Sequence, residues 1–189
     1  MVDLAARSAF DGLLLPIGTG QGVTVHEPAG LGVATILAGP DRAAFAARVR
    51  DMFAATLSSG SMHIATPAIS FLGTSRNVWL AVGAGGSTFA ADLARSLAGV
   101  GEVADQSGAY GILDLTGPNA MAVLAKGLPI DLDSSAFAED AVAVSHIEHI
   151  GVIVWRIPGG FRLATPRSSA ASFWHWLSAS AAEYELGVA

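Results

Sequence analysis

The sequence predicts an α+β fold built from two ferredoxin-like βαββαβ-type halves, with antiparallel sheets and helices packed on one face. Three observations carry this expectation. Short β-rich runs alternate with amphipathic helical stretches in the order strand, helix, strand, strand, helix, strand. That order recurs in outline on either side of about residue 105. No Gly-, Pro- or Ser-rich stretch is long enough to part the two copies, so 31–189 reads as a single compact α+β domain with halves of about 31–105 and 106–189.

Each element has its own signal. Residues 1–30 are rich in Gly and Pro and read as an irregular N-terminal arm, with a short strand at Val23–His26. Gly32–Ala38 is a strand, and Gly39-Pro40-Asp41 then starts a helix with proline near its first position. Phe45, Val49, Met52 and Phe53 form one apolar stripe, with Arg42, Arg48 and Arg50 largely off it. Ile69–Leu72 and Val78–Val82 pair across a turn over Gly73–Asn77. Ser87 caps a second helix running to about Leu97, and Glu102–Asp105 is a short strand. In the second half Tyr110–Leu115 is a strand, and Thr116-Gly117-Pro118 opens a helix carrying Met121, Leu124 and Leu128 on one face. Residues 129–140 form a loop holding Asp131, Asp133, Glu139 and Asp140. Val142–Ile147, Val152–Ile157 and Phe161–Thr165 are strands, the last two joined through Pro158-Gly159-Gly160, and a final helix covers about Ser168–Glu185.

On that last helix Phe173, Trp176, Leu177 and Tyr184 lie within about 80° of one another, and Trp174 and Ala181 widen the apolar arc to about 160°. One sheet face needs less than that. Either the helix wedges between two layers or its Trp174 edge meets a partner. Trp174, with Arg167 at the head of the same segment, is the candidate partner interface.

Composition narrows the function. Of 189 residues 52% are hydrophobic and only 14% charged, against roughly 25% in an average soluble domain. A subunit clamped inside a larger assembly shows this thin polar coat; an Ala/Gly-rich composition is the other source of it. The net charge is −6, with Lys126 the one lysine beside nine arginines, so no basic stripe exists for nucleic acid or an anionic membrane. No apolar run approaches the roughly 18 residues that span a bilayer. Absence of cysteine removes disulfides, thiolate nucleophiles and Cys-based metal sites. Residues 1–7 carry no basic leader and Leu13–Ile17 is too short for a signal core, so the expected address is the cytoplasm.

Candidate chemistry is thin. Val78-Trp-Leu-Ala-Val-Gly83-Ala-Gly85-Gly-Ser-Thr88 runs from strand through glycines towards a helix, with Glu102 at the distance of a ribose-binding acid. A dinucleotide fingerprint, however, needs glycine where Thr88 stands and an early place in a βαβ array, so the turn reads as structural. Gly18-Thr-Gly-Gln-Gly22 has no preceding strand. His146 and His149 fall on opposite strand faces, and His146 with Glu148 makes two ligands, too few for a metal site. Ser61 near His63 lacks a nucleophile-elbow pattern, and His26 and His175 are isolated. Asp131 and Asp133 have the chemistry of an acid–base pair but the spacing of a turn cap. No catalytic, cofactor-binding or metal-binding residue is assigned.

Four segments are distinctive: Asp105-Gln-Ser-Gly-Ala-Tyr, Leu115-Thr-Gly-Pro-Asn-Ala, Leu124-Ala-Lys-Gly-Leu-Pro-Ile-Asp-Leu, and Phe161-Arg-Leu followed by Arg167-Ser-Ser-Ala-Ala-Ser-Phe-Trp-His-Trp-Leu. In order and spacing they resemble the gamma subunit of heterotetrameric sarcosine oxidase over roughly residues 100–180. Residues 1–100 match only in their βαββαβ outline, and Ser169 stands where an aromatic is expected after Arg-Ser. The resemblance implies the fold of the folate-binding module of aminomethyltransferases. It implies a non-catalytic structural subunit held by alpha, beta and delta partners, with FAD, FMN, NAD, tetrahydrofolate and zinc all on those partners and none here. Such a complex oxidatively demethylates sarcosine or a related secondary amine, giving hydrogen peroxide and a one-carbon unit for tetrahydrofolate. The alternative, from a different class, is a free-standing folate-dependent one-carbon transferase. The absence of cysteine argues against the cysteine-bearing iron–sulfur-repair branch of the fold.

Overall fold

The computed structural model describes residues 7–14, 18–58 and 60–189; the first six residues of the arm and most of the Leu13–Ile17 run lie outside the described residues. Eleven strands and four α-helices are described. They are β1 (Val23–His26), β2 (Leu31–Ala38), α1 (Arg42–Phe53), β3 (His63–Ala65), β4 (Ile69–Ser75), β5 (Val78–Ala84), α2 (Phe89–Ser96) and β6 (Gly101–Asp105). Then follow β7 (Tyr110–Thr116), α3 (Ala120–Ala125), β8 (Val142–Ile147), β9 (Ile150–Ile157), β10 (Gly160–Pro166), α4 (Ala170–Ala181) and β11 (Leu186–Val188).

The strands form two sheets, β3-β4-β5-β2-β6 and β11-β1-β7-β10-β9-β8. Every pairing is antiparallel except β1 with β11. Setting aside β3, β8 and β1, each sheet has the strand order of a βαββαβ unit, and the fold is α+β as the pattern predicts.

Alternation along the strands sorts side chains into three cores. On the first sheet Ala34, Ile36, Phe71, Trp79 and Ala81 face α1 and α2, meeting Phe45, Val49, Phe89 and Leu93. Their neighbours Val33, Leu72, Leu80 and Val82 face the second sheet, meeting Ile112, Val142, Ile153, Trp155 and Ala164. On the far side of the second sheet Val25, Leu113, Leu115, Val154 and Leu163 pack against Val123, Leu124, Phe173 and Leu177 of α3 and α4. The order of layers is therefore helices, sheet, sheet, helices. Strands buried on both faces lose a clean apolar–polar alternation, which is why β5 and β9 read as nearly continuous apolar runs.

Several local expectations shift. Pro40 lies one residue ahead of the N-cap of α1 and not at its first helical position; the cap is Asp41, whose Oδ1 accepts from the Ala44 amide at 2.9 Å. Met52 is exposed, leaving Phe45 and Val49 as the buried stripe of α1. Ser87 does not cap α2; residues 86–88 form a short 3₁₀ turn and Thr88 is the N-cap, without a side-chain bond. On α3 the buried face is Ala120, Val123 and Leu124, while Met121 is exposed. The last helix is shorter than predicted, with 3₁₀ turns over 167–169 and 182–184. β3 and β11, three residues each, are additional strands.

Candidate partner interface

Arg167 sits where β10 turns into α4. Its amide donates to Ala109 O at 2.8 Å, and its Nη2 donates to the carbonyls of Arg7 at 2.7 Å and Ser8 at 3.0 Å. The guanidinium thus pins the start of the described chain across the β6–β7 turn. It also lines a groove of about 370 Å³ with Glu27, Leu31, Ser107 and Tyr110.

Trp174 is half-buried at the rim of the α4 core. Phe173, Leu177, Ala170 and Ala181 are the buried residues of this helix, all within one core, so α4 is an outer layer and not a wedge. Trp176 lies 6.1 Å from the Phe173 ring and closes over Gly127, where a Cβ would stand 2.6 Å from the indole Cζ2. Trp176, not Trp174, lines a shallow groove of about 730 Å³ with Lys126, Glu148, His175 and Ala179. The Lys126 ammonium is already engaged by Ser180 O at 2.5 Å, the Glu183 carboxylate and the Tyr184 ring. Arg167 and Trp174 do not meet in one groove.

Sequence reasoning passed over two arginines. Arg156 closes the 129–140 loop: Nε donates to Phe137 O at 2.7 Å and Nη2 to Leu132 O at 2.5 Å, with the guanidinium above the Phe137 and Phe161 rings. Arg162 makes a two-bond pair with Asp114 directly across the β7–β10 ladder, its Nη2 2.7 Å from Oδ2. Lone arginines inside apolar strand sequences were the available signal.

The residues considered for chemistry fall into structural roles. At Gly83 a Cβ would lie 2.7 Å from both Ala68 O and Phe89 Cε2, and Gly85 and Gly86 have φ of 124° and 51°. Phe89 packs where a pyrophosphate would have to approach, and β5 lies antiparallel to both its neighbours. Asp131 Oδ1 accepts from the Asp133 amide at 2.9 Å, and Asp133 Oδ1 accepts from the Ser135 amide and hydroxyl at 2.9 and 2.7 Å. The Ser135 hydroxyl, then its amide, hold the Asp133 carboxyl below the usual range. This is a chain of Asx turns. His146 is on β8, whereas His149 lies in the β8–β9 turn and not in a strand. His63 Nε2 is 3.1 Å from Ser70 Oγ; burial, then Arg162, push its pKa down against the opposing pull of Asp140. No group of three or more His, Cys, Asp or Glu side chains is placed to hold a metal among the described residues. No described helix is long and apolar enough to cross a membrane.

A sequence model of the sarcosine oxidase gamma subunit family matches residues 38–183. The chain belongs to the sarcosine oxidase gamma subunit family. This match extends the likeness well before residue 100, where only the outline of the fold had suggested it. Sarcosine oxidase subunit gamma of Corynebacterium sp. (strain P-1) is 32% identical over 108 residues, 56% of this chain. That segment is 53% of the relative, so the chain spans about half the length of the curated relative it matches. Among solved structures, a chain of the heterotetrameric sarcosine oxidase of Corynebacterium sp. U-96, in complex with pyrrole 2-carboxylate, superposes with a TM-score of 0.83. It is 22% identical, with 95% of this chain and 96% of that chain covered. The glycine cleavage system aminomethyltransferase T of Bartonella henselae superposes with a TM-score of 0.65 at 14% identity, over 88% of this chain and 47% of that one. Both structural likenesses speak to the fold.

Proposed function

We propose that this chain is a non-catalytic structural subunit of a heterotetrameric, cytoplasmic flavoenzyme complex of the sarcosine oxidase type. In this reading alpha, beta and delta partners carry FAD, FMN, NAD, tetrahydrofolate and zinc. The complex demethylates sarcosine or a related secondary amine oxidatively, yielding hydrogen peroxide and a one-carbon unit for tetrahydrofolate. The gamma-family match over residues 38–183 carries the proposal. The thin polar coat supports it, since a chain with 14% charged residues gains from covering its surface. So does the employment of the polar side chains, which close turns, loops and ladders. In this reading residues 31–189 act as a single unit of two halves, 31–105 and 106–189, behind an arm of 1–30, and Trp174 and Arg167 lie at partner contacts. A free-standing folate-dependent transferase shares the fold, and no observation on this chain favours it.

The test is capture. A tagged copy of the chain, co-expressed with its three partner subunits, is expected to carry flavin absorbance through purification and to give amine-dependent peroxide. The tagged chain alone is expected to carry neither. A chain that elutes without any flavoprotein from cells making all four subunits rejects the proposal.

A further inference from the structure

Four strands end the two sheets: β3 and β6 in the first, β8 and β11 in the second. An open sheet edge offers unpaired N–H and C=O groups and is normally short, charged, bulged or covered. Three of these edges are. Residues 18–20 run against β11: a Cβ on Gly18 would stand 1.9 Å from the Leu186 carbonyl oxygen, and one on Gly187 2.5 Å from the Gly20 Cα. β3 has three residues, and its first amide donates to Asp140 O at 2.7 Å. β6 carries the exposed charges of Glu102 and Asp105. β8 is different. Val142-Ala-Val-Ser-His-Ile147 contains no Lys, Arg, Asp, Glu or Pro, and its register with β9 runs without a bulge.

The register says which groups are free. The two-residue Glu148–His149 turn makes Ile147 and Ile150 a hydrogen-bonded pair, so Ser145 and Ala143 also bond to β9. Val142, Val144 and His146 therefore turn their backbone groups outward. The Val142 amide donates to Ser61 O at 3.2 Å, whereas no group among the described residues takes those of Val144 and His146. Val144 is 58% exposed, above the 53% of Met52 and 46% of Leu37.

We propose that β8 is the docking edge for an extended segment of a partner subunit, which adds to the second sheet as a seventh strand beside Val144 and His146. This rests on the reading of the chain as a subunit. Backbone bonds to the free groups give the affinity, and an apolar side chain set against Val144 gives the register. Exposed acids bracket the strand, Glu139 and Asp140 before it and Glu148 after it, so the fitting segment is apolar at its centre with Lys or Arg at its ends. A second copy of this chain fits worse. Antiparallel pairing of two β8 strands brings Glu139 and Asp140 of one copy towards Glu148 of the other.

The experiment reads assembly of the full complex. Val144→Lys puts a charge on the edge, and Val144→Pro removes an amide that no internal bond uses, a change an edge strand accommodates. Val144→Thr and Ala104→Lys on β6 are the controls. Capture of the partners by tagged chain is expected to weaken about tenfold or more for the first two, and to stay at the wild-type level for the controls. Hydrogen exchange in the assembled wild-type complex is expected to show slow amides at Val144 and His146. Undiminished capture by both Val144→Lys and Val144→Pro, fast exchange at both amides, or native masses showing copies of this chain paired through β8 overturns the docking edge. In those cases a wild-type chain that still assembles leaves the subunit reading standing. A wild-type chain that captures nothing overturns both.

Discussion

The two sheets start from the same pattern and close differently. In the first, β6 follows α2 and pairs directly with β2. In the second, the matching place beside β7 is held by β1, drawn from residues 23–26, and the strand that follows α4 lies outside it as β11. One sheet is completed from its own segment; the other borrows a strand from ahead of its twin. The second sheet therefore takes an inner strand from residues that precede the whole first half. Local periodicity specifies a βαββαβ unit, but it does not specify which strand fills the last place, because that choice is made by contacts about 90 residues apart in sequence (Val25 against Leu115, for instance).

The largest expected effect comes from the layer that the two sheets share. Trp155 is 1% exposed and belongs to the core that holds Val33, Leu72 and Leu80 of the first sheet. Trp155→Ala is expected to cost about 3–5 kcal/mol, as large aromatic truncations in cores do. Because that core belongs to both sheets, urea unfolding followed by circular dichroism and by tryptophan fluorescence should show one transition, moved as a whole. A variant whose two signals separate, with only the second half destabilised, would mean the sheets fold as independent units.

Much of this architecture was legible. Nine of the eleven described strands were readable in the sequence, and so were the four helices, three from apolar spacing and α2 from a serine at its start. What escaped was short or non-local. β3 and β11 have three residues each and too little sequence to show a period. The arm's strand was seen, but its place between β7 and β11 was not. Helix starts were misjudged where glycines precede them: at Gly85-Gly86 the backbone enters positive φ and builds a 3₁₀ turn before the helix, so the capping residue moves on from Ser87 to Thr88. The candidate interface was legible as residue types but not as geometry. Trp174 and Trp176 share one helical arc, and Gly127 on the α3 exit decides which indole tucks in beside the groove. Arg167 was visible as a charge in a conspicuous segment; its bonds to the carbonyls of Arg7 and Ser8 lie about 160 residues away in the chain.

A pair of variants sharpens the contrast at the helices. The first half's α1 has a side-chain cap, Asp41 bonded to the Ala44 amide at 2.9 Å, while the second half's α3 starts at Asn119 with no side-chain cap bond. Asp41→Ala is expected to lower stability by about 1 kcal/mol, and Asn119→Ala by clearly less. Denaturant midpoints of the two variants measure the difference. Equal losses would show that Asp41 contributes nothing through its cap, or that Asn119 supports α3 by some route other than one.

The smallest effect concerns the one histidine set at the seam. His63 belongs to β3 of the first sheet, yet its ring lies 6.4 Å from that of Trp155 in the second, in an edge-on arrangement. The charged groups acting on it are Arg162, itself paired with Asp114, and Asp140. Burial disfavours the imidazolium most, Arg162 adds to that, and Asp140 opposes, so the folded-state pKa lies below the ordinary 6.5. The unfolded chain then binds more protons at this site as pH falls past 6.5. Stability is whole above that value and is lost as pH drops towards the folded pKa. Thermal melts at pH 7.5 and pH 5.5 should therefore show a larger loss for the natural chain than for His63→Gln, which keeps a hydrogen-bonding group near Ser70 but cannot titrate. Carboxylates contribute equally to both chains and cancel in the comparison. Parallel losses would place the histidine in water at low pH, free of the second sheet, and would loosen the contact between halves that Trp155 is expected to enforce.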